Sequence, residues 1–175
     1  MNSQRNVLVT GAAGYIGSHA CKALKSKGFN PVGVDNLSTG WSDAVKFGPF
    51  EKVDLMDQEE LRKVFEVYTP EAVMHFAALS QVGESVVYPG NYWRNNVLGS
   101  LNLIEAAVQH QCEKFVFSST CATYGDHDQI ILTEQTVQRP NNAYGSSKRS
   151  VEEIIKQFSR NTSLRFVIFR YFNVA

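Results

Sequence analysis

The chain has 175 residues, of which 43% are hydrophobic and 19% are charged, and its 17 basic side chains balance its 17 acidic ones. This composition is ordinary for a globular protein, and the length predicts one domain with a proper hydrophobic core. A formal charge of zero argues against a nucleic-acid-binding protein and against attraction to an anionic membrane.

Apolar runs of strand length alternate with helical patterns along the chain. In chain order, strands are predicted at residues 7–10, 30–35, 50–55, 72–77, 114–119 and 164–171. Helices are predicted at residues 15–27, 58–67, 92–110 and 144–160. We expect Asp57 to cap the second helix, and the third strand has the weakest pattern. The one long irregular segment, residues 124–142, is typical of a functional or disordered loop.

The alternation of six strands with helices predicts the fold class. It indicates an α/β fold, a doubly wound parallel sheet in three layers, α/β/α, with right-handed crossovers. Ligands bind such sheets in the crevice outside the carboxyl ends of the strands. We therefore look for functional residues directly after each predicted strand.

Three glycines at three-residue intervals, Gly11, Gly14 and Gly17, follow the first strand. In a doubly wound fold the first permits a tight turn with positive φ, and the second lets a pyrophosphate approach the backbone. The third lets the next helix sit close on the sheet, and that helix offers free N–H groups at its start. The preceding strand and the following helix favour a dinucleotide site of the Rossmann type over a bare glycine turn.

Acidic residues end the second and third strands. Asp35 can accept hydrogen bonds from the adenosine ribose and would repel a 2′-phosphate, which favours NAD over NADP. The alternative is that Asp35 only begins the turn DNLSTG. Asp54 and Leu55 could meet the adenine edge, or Asp54 could simply cap the next helix.

The segment NNAYGSSKRSVEEI carries Tyr144 and Lys148 at a predicted helix start. Residues four apart share one face of a helix. A neighbouring ammonium and a positive nicotinamide ring would both favour the phenolate, so that the tyrosine can act as a base near neutral pH. The alternative is a chance spacing, which the upstream glycine motif makes the weaker interpretation.

Hydroxyl side chains follow the fifth strand in the segment FVFSSTCATYG. Ser118, Ser119 and Thr120 lie at the carboxyl end of that strand, on the same edge as the glycine turn. Thr120 is a candidate partner for a substrate hydroxyl. The alternative, that such hydroxyls only satisfy the backbone of a turn, is the better interpretation for Ser118.

The remaining chemistry-bearing side chains give weaker signals. Cys21, Cys112 and Cys121 form an odd, scattered set, which is neither a disulfide framework nor a metal site. The N-terminus lacks a signal-peptide core, and no stretch has the length of a membrane span, so we expect a cytoplasmic protein. We interpret His75 as a packed histidine at a strand end.

Seven segments together resemble the extended short-chain dehydrogenase/reductase family, and they cover nearly the whole chain. They are VLVTGAAGYIGSH, VDNLSTG, HFAALSQVGES, NNVLGSLNLIEAA, FSSTCATYG, YGSSK and RYFNVA. Within this family the similarity is to the nucleotide-sugar 4-epimerases. The resemblance implies an isomerase of galactose metabolism that interconverts UDP-galactose and UDP-glucose by transient oxidation at C4 with bound NAD.

The resemblance also implies roles for individual residues. Tyr144 would take the proton from the sugar 4-hydroxyl, and Lys148 would lower the tyrosine pKa and bind the nicotinamide ribose. Thr120 would bridge the 4-oxygen and Tyr144, and Asn173 would lie near the sugar or its diphosphate. The further residues that we assign to cofactor binding are Tyr15, Ile16, Asn36, Phe76, Ala77, Ala78, Asn95 and Phe172, together with Tyr144 and Lys148 themselves.

Members of this family have a second, C-terminal part that grips UDP. The resemblance therefore implies that residues 1–175 form the NAD-binding domain and that the substrate domain is absent from this chain. It also implies a homodimer built on residues 92–110 and 144–160. A 4,6-dehydratase is disfavoured, because Cys121 and Ala122 stand where those relatives carry an Asp-Glu pair. The open alternatives are another NAD-dependent nucleotide-sugar epimerase or decarboxylase, and a catalytically silent NAD-binding domain.

Overall fold

A computed structural model describes residues 5–127 and 131–174. The strands, in chain order, are β1 (Asn6–Thr10), β2 (Asn30–Val34), β3 (Phe50–Glu51), β4 (Ala72–His75), β5 (Lys114–Thr120) and β6 (Arg165–Tyr171). The helices are α1 (Tyr15–Ser26), α2 (Gln58–Tyr68), α3 (Val82–Val87), α4 (Pro89–Tyr92), α5 (Gly99–Gln109) and α6 (Ala143–Asn161). A π-helical turn, Trp93–Leu98, joins α4 to α5, and short 3₁₀ turns cover Ser42–Ala44 and Cys121–Thr123.

The six strands form one parallel sheet in the order β3-β2-β1-β4-β5-β6, which confirms the predicted doubly wound α/β fold. The strand order reverses between β1 and β4. At such a switch point the loops after neighbouring strands diverge to opposite faces and leave a crevice at the carboxyl edge. The glycine turn after β1 and the loop after β4 border this crevice.

Two of the predicted elements differ from the structure. The third strand, predicted over residues 50–55, pairs with β2 only through Phe50 and Glu51. Beyond that pair, the Val53 amide bonds back to the Glu51 carbonyl, so the chain turns instead of extending the ladder. The predicted helix 92–110 begins earlier, at α4, and its π-helical turn, like α3 before it, was not predicted.

Apolar side chains on both faces of the sheet hold the helices in place. The larger cluster lies under α2, α5 and α6, and its fully buried members include Leu8, Phe65, Ile104, Phe115 and Ile155. Burying each of these side chains contributes about 1.5–3 kcal/mol. The smaller cluster joins α1 to the opposite face and contains Val7, Val9, Ala12 and Cys21.

Part of that opposite face stays open in the described part of the chain. Ile168 of β6 packs toward the larger cluster. Its neighbours Val167 and Phe169 therefore point to the other side of the sheet, where they are 49% and 47% exposed. The crossovers from β4 through β6 all place their helices on one face, which explains why this apolar strip lacks a cover.

Candidate active site

The glycine turn after β1 packs tightly against two other parts of the backbone. Gly11 has φ +72°, and a Cβ there would lie 2.6 Å from the amide nitrogen of Ala77. A Cβ on Gly17 would lie 2.1 Å from the carbonyl oxygen of Gly11. These two glycines are therefore required by the close contact of the turn with the loop after β4 and with α1.

Gly14 has a different environment. A Cβ there would meet only the Gly11 carbonyl oxygen, at 3.3 Å, so the protein's own packing crowds this position much less. Gly14 is the N-cap of α1, and neither a side-chain cap nor an acidic residue occupies the first turn of that helix. The start of α1 therefore offers N–H groups and the positive end of the helix dipole to an anionic ligand.

Asp35, at the end of β2, connects the glycine turn to the loop that follows it. One carboxylate oxygen accepts the Ala13 N–H at 3.0 Å, and the other accepts the Leu37 N–H at 2.8 Å. Leu37 has a left-handed backbone with φ 61°, which the hydrogen bond that its N–H donates to Asp35 stabilises. Asp35 thus does begin the predicted turn, and its contact with a ribose stays a prediction.

Asp54 also shapes a loop, but it does not cap a helix. Its carboxylate accepts the Met56 N–H at 2.9 Å and the Asn36 side-chain amide at 2.9 Å. The cap of α2 is Asp57, which accepts the Glu60 N–H, as predicted. The alternative that Asp54 caps the next helix is therefore wrong.

One cleft at the switch point collects most of the residues that were assigned to cofactor binding. They are Gly11, Gly14, Asp35, Asn36, Asp54, Leu55, Phe76, Ala77, Ala78 and Asn95. The cleft also contains residues that were not assigned, namely Thr10, Val34, Ser38, Thr39, Gly40, Val53 and Leu79. The remaining assigned residues, Tyr15, Ile16, Gly17, Tyr144, Lys148 and Phe172, lie outside its lining.

The π-helical turn brings a pair of asparagines to this cleft. Asn95 lines it, whereas Asn96 is buried and was missed by the sequence analysis. The Asn96 carboxamide accepts the Leu79 N–H at 2.8 Å and donates to the Leu79 carbonyl at 2.9 Å. It also donates to the Ser147 hydroxyl on α6 at 3.2 Å. Asn96 thus ties a loop of the cleft to the helix that carries Tyr144, and π-helical turns often occur at functional sites.

His75, at the end of β4, is a packed histidine, as the sequence predicts. It is 1% exposed, and its two ring nitrogens lie 2.7 Å from the Thr10 hydroxyl and 2.7 Å from the Ser100 hydroxyl. Burial, with a smaller contribution from the Lys148 charge, lowers the pKa of His75 to about 3. The side chain is therefore neutral at physiological pH and holds β1, β4 and α5 together by hydrogen bonds.

The pKa of His75 predicts a loss of stability in acid. Its folded pKa of about 3 lies below the ordinary value of 6.5, so the unfolded chain binds a proton that the folded chain excludes as the pH falls below 6.5. Between pH 7 and pH 5 this linkage should remove about 2 kcal/mol from the free energy of unfolding. Urea denaturation at both pH values measures the loss, and a His75→Asn variant should show a smaller one. Equal pH dependence of the two proteins would contradict the assignment.

The start of α6 is fixed against the turn after β5. Asn142 caps the helix by accepting the Gly145 N–H at 2.8 Å. A Cβ on Gly145 would lie 2.3 Å from the carbonyl oxygen of Ala122, so the helix and the 3₁₀ turn are in direct backbone contact. This contact brings Tyr144 next to Thr120.

The predicted catalytic residues Tyr144 and Thr120 lie together in this arrangement. Burial raises the pKa of Tyr144, while a hydrogen bond with the Thr120 side chain acts in the opposite direction. The Thr120 hydroxyl also accepts the Ala122 N–H at 3.1 Å, which caps the 3₁₀ turn. Thr120 therefore both satisfies a turn and meets the tyrosine, so neither interpretation excludes the other.

Lys148 lies one turn beyond Tyr144 and is only 3% exposed. Its ammonium donates to the Ser118 carbonyl at 2.9 Å and lies 4.8 Å from the centre of the Phe117 ring. Burial lowers the pKa of Lys148 to about 7, so both its charged and its neutral form are populated near neutral pH. The ammonium is thus bonded to the backbone of β5 and not to the phenol. The lowering of the Tyr144 pKa by Lys148 stays a prediction.

The remaining predicted residues lie just past β6. Phe172 is exposed and stacks on Tyr124 with ring centroids 6.5 Å apart. Asn173 is also exposed, at the same edge of the sheet as Thr120. Residues 5–127 and 131–174 contain no cluster of side chains that could hold a metal ion. None of the helices in those ranges is long and apolar enough to cross a membrane.

Comparison with known proteins agrees with this geometry. UDP-glucose 4-epimerase of Rhizobium meliloti (strain 1021) is 48% identical over 170 residues, which are 97% of this chain and 52% of the relative. A putative UDP-arabinose 4-epimerase of Arabidopsis thaliana is 44% identical over 179 residues, covering 97% of this chain and 41% of the relative. The chain thus spans about half the length of the curated relatives it matches.

A solved structure and a family model agree with these relatives. The crystal structure of UDP-glucose 4-epimerase from Brucella ovis in complex with NAD has a TM-score of 0.95 and 45% sequence identity, over 97% of this chain and 52% of that one. A family model described as "NAD dependent epimerase/dehydratase family" matches residues 7–175. The chain belongs to the NAD dependent epimerase/dehydratase family.

Proposed function

We propose that the protein interconverts UDP-galactose and UDP-glucose as a UDP-glucose 4-epimerase that carries bound NAD. The observation that carries this proposal is the contact between Tyr144 and Thr120 at the carboxyl edge of the sheet, with Lys148 one turn away. A proton-transfer group thus shares an edge with a cleft suited to a dinucleotide. The 48% identity to a UDP-glucose 4-epimerase supports the choice of substrate.

The residues of the cleft fit NAD in two ways. The uncapped start of α1 at Gly14 suits the diphosphate, and the Asp35 carboxylate suits the adenosine ribose and would repel a 2′-phosphate. Phe76, Ala77 and Asn95, which line the cleft, would supply apolar and amide contacts on the side of β4. When bound, NAD would supply the two-electron acceptor and donor for the sugar carbon C4.

The protein's own part in the reaction is to move one proton and to orient the sugar. Tyr144 would take the proton of the 4-hydroxyl as C4 becomes a ketone, and would return it to the same oxygen after the sugar has turned over. Thr120, whose side chain acts on the pKa of the phenol, would hold the 4-oxygen in line with it. Lys148 would favour the phenolate through its positive charge. The net result is inversion at C4 without net oxidation.

The proposed reaction can be followed directly by NMR. The whole protein is incubated with UDP-galactose and NAD, and the appearance of UDP-glucose is measured. Product formation supports the proposal. Retention of NAD without product would favour the alternative of a catalytically silent domain.

A UDP-pentose epimerase is the second candidate, because one relative at 44% identity is described as a putative UDP-arabinose 4-epimerase. The same NMR assay with UDP-arabinose separates the two candidates. Turnover of the pentose alone would replace the proposed substrate with that of the second candidate.

The Asp35 assignment predicts a change in cofactor preference. Asp35→Asn should weaken NAD binding and reduce the preference for NAD over NADP, because it removes the charge that repels the 2′-phosphate. Titration with both nucleotides measures the ratio of the two Kd values. Asp43→Asn, on the same loop and exposed, is the matched control. An unchanged ratio in Asp35→Asn would contradict the ribose contact.

We also propose a second, substrate-binding domain, a homodimer and a cytoplasmic location. The lengths of the relatives and the open apolar strip at Val167 and Phe169 support the further domain. Exposed Trp93 and Leu98, on the helix that the predicted dimer uses, support self-association. The cysteines in the described residues are free, which suits a reducing compartment.

A further inference from the structure

Glu152 is a charged residue that the proposed reaction does not use. It lies one turn beyond Lys148 on α6 and is fully buried. One carboxylate oxygen accepts the Ser119 hydroxyl at 2.5 Å and Arg170 Nε at 3.0 Å. The other accepts Arg170 Nη2 at 2.7 Å and the Gln138 side-chain amide at 3.1 Å. Burial would raise the pKa of Glu152, but the bonds from Arg170 and Ser119 hold it below the usual value.

Arg170 extends the network toward the end of β6. Its Nη1 donates to the Tyr124 hydroxyl at 2.9 Å and to the Glu134 carbonyl at 3.2 Å. The guanidinium also lies 5.1 Å from the centre of the Tyr124 ring, which in turn stacks on Phe172. One buried ion pair therefore connects α6, the ends of β5 and β6, and the irregular segment between them.

The residues of this network lie beside the residues that are proposed to transfer the proton. Ser119 lies between Ser118, whose carbonyl holds Lys148, and Thr120, which contacts Tyr144. Apolar residues of equal volume would often stabilise a core as well as a buried ion pair does. Apolar contacts are not directional. A carboxylate facing a planar guanidinium, by contrast, fixes both the distance and the rotation of the two elements.

We infer that Glu152 and Arg170 are positioning residues, which hold the Tyr144–Lys148 face of α6 in register with Thr120 and keep Phe172 at the same edge. This inference rests on the proposed epimerase function. A helix that slides or rotates slightly would keep its fold and its cofactor, but it would misplace the phenol relative to the 4-oxygen.

The test compares Glu152→Gln and Arg170→Lys with a matched control. Glu153→Gln, one residue further along α6, breaks an exposed pair with Lys156 at 2.7 Å and serves as that control. All proteins are assayed with NAD and UDP-galactose at a temperature where circular dichroism shows them folded. We expect kcat to fall by about 10- to 100-fold in the two network variants. KM should change little, and the control should match the parent.

A merely structural role predicts a different pattern. Melting temperatures would fall, but kcat of the folded variants would equal that of the parent, and this result would overturn the inference. If the parent protein has no epimerase activity, the proposed function fails. The positioning role is then tested through the pKa of the Tyr144 phenol. The signal of Tyr144 in an ultraviolet titration is identified by its loss in Tyr144→Phe. We expect Glu152→Gln to change this pKa, because the phenol would move relative to the Thr120 side chain; an unchanged pKa would overturn the inference.

Discussion

Tyr144→Phe is expected to lower kcat for UDP-galactose by about 10²–10⁴-fold, the usual contribution of a positioned general acid–base. The substitution removes the oxygen that would carry the proton. It keeps the ring that packs edge-on against Tyr92, with centroids 6.4 Å apart, so α6 should stay in place. The measurement is steady-state turnover of the whole protein, together with the amount of NAD that remains bound.

Tyr88→Phe is the control for this experiment, because Tyr88 is 60% exposed, lies at the start of α4 and is outside the lining of the dinucleotide cleft. It should turn over like the parent. Bound NAD should be equal in all three proteins, since Tyr144 lies outside the lining of the dinucleotide cleft. Near-parental turnover of Tyr144→Phe would remove this residue from the role of base.

Gly17→Ala should have the second large effect, on stability and on NAD binding together. The added Cβ would lie 2.1 Å from the Gly11 carbonyl oxygen, and a backbone atom in a tight turn has little room to move. We expect the free energy of unfolding to fall by about 3 kcal/mol or more. NAD affinity should fall as well, because the start of α1 must shift away from the turn.

Substitutions at two other glycines separate the steric clash from backbone strain as the cause of the lost stability. Gly28 has φ +82° with open space around it, so Gly28→Ala adds backbone strain alone and should cost about 1 kcal/mol. Gly83 lies in α3 with nothing within 4 Å of an added Cβ, so Gly83→Ala should be neutral or slightly stabilising. Urea denaturation and NAD titration measure all three variants. A loss in Gly17→Ala no larger than in Gly28→Ala would rule out the clash.

The parts of the site that local pattern determines were predictable from the sequence. The glycine turn, Asp35 and the Tyr144–Lys148 spacing each depend on a few neighbouring residues whose chemistry is specific. The parallel order of strands followed from their alternation with helices. His75 was interpreted correctly as a packed residue because it ends an apolar strand, and its low pKa follows from that burial.

Other features depend on contacts between distant segments and left no local signal. The third strand is short because the chain turns after Glu51, although residues 50–55 have a weak strand pattern. Asn96 looks like an ordinary polar residue in a helix until its partner, the Leu79 backbone, is known. Glu152 likewise reads as one charge among several on α6, and only the position of Arg170 on β6 explains its burial.

The reversal of strand order between β1 and β4 has a consequence for how such a protein can diversify. The residues that would choose the nucleotide, such as Asp35, follow strands on one side of the reversal, and those that would move the proton, such as Tyr144, follow strands on the other. Substitutions in one half can therefore accumulate while the other half is preserved. A change of preference between NAD and NADP, which would begin at Asp35, therefore need not disturb the residues that would move the proton.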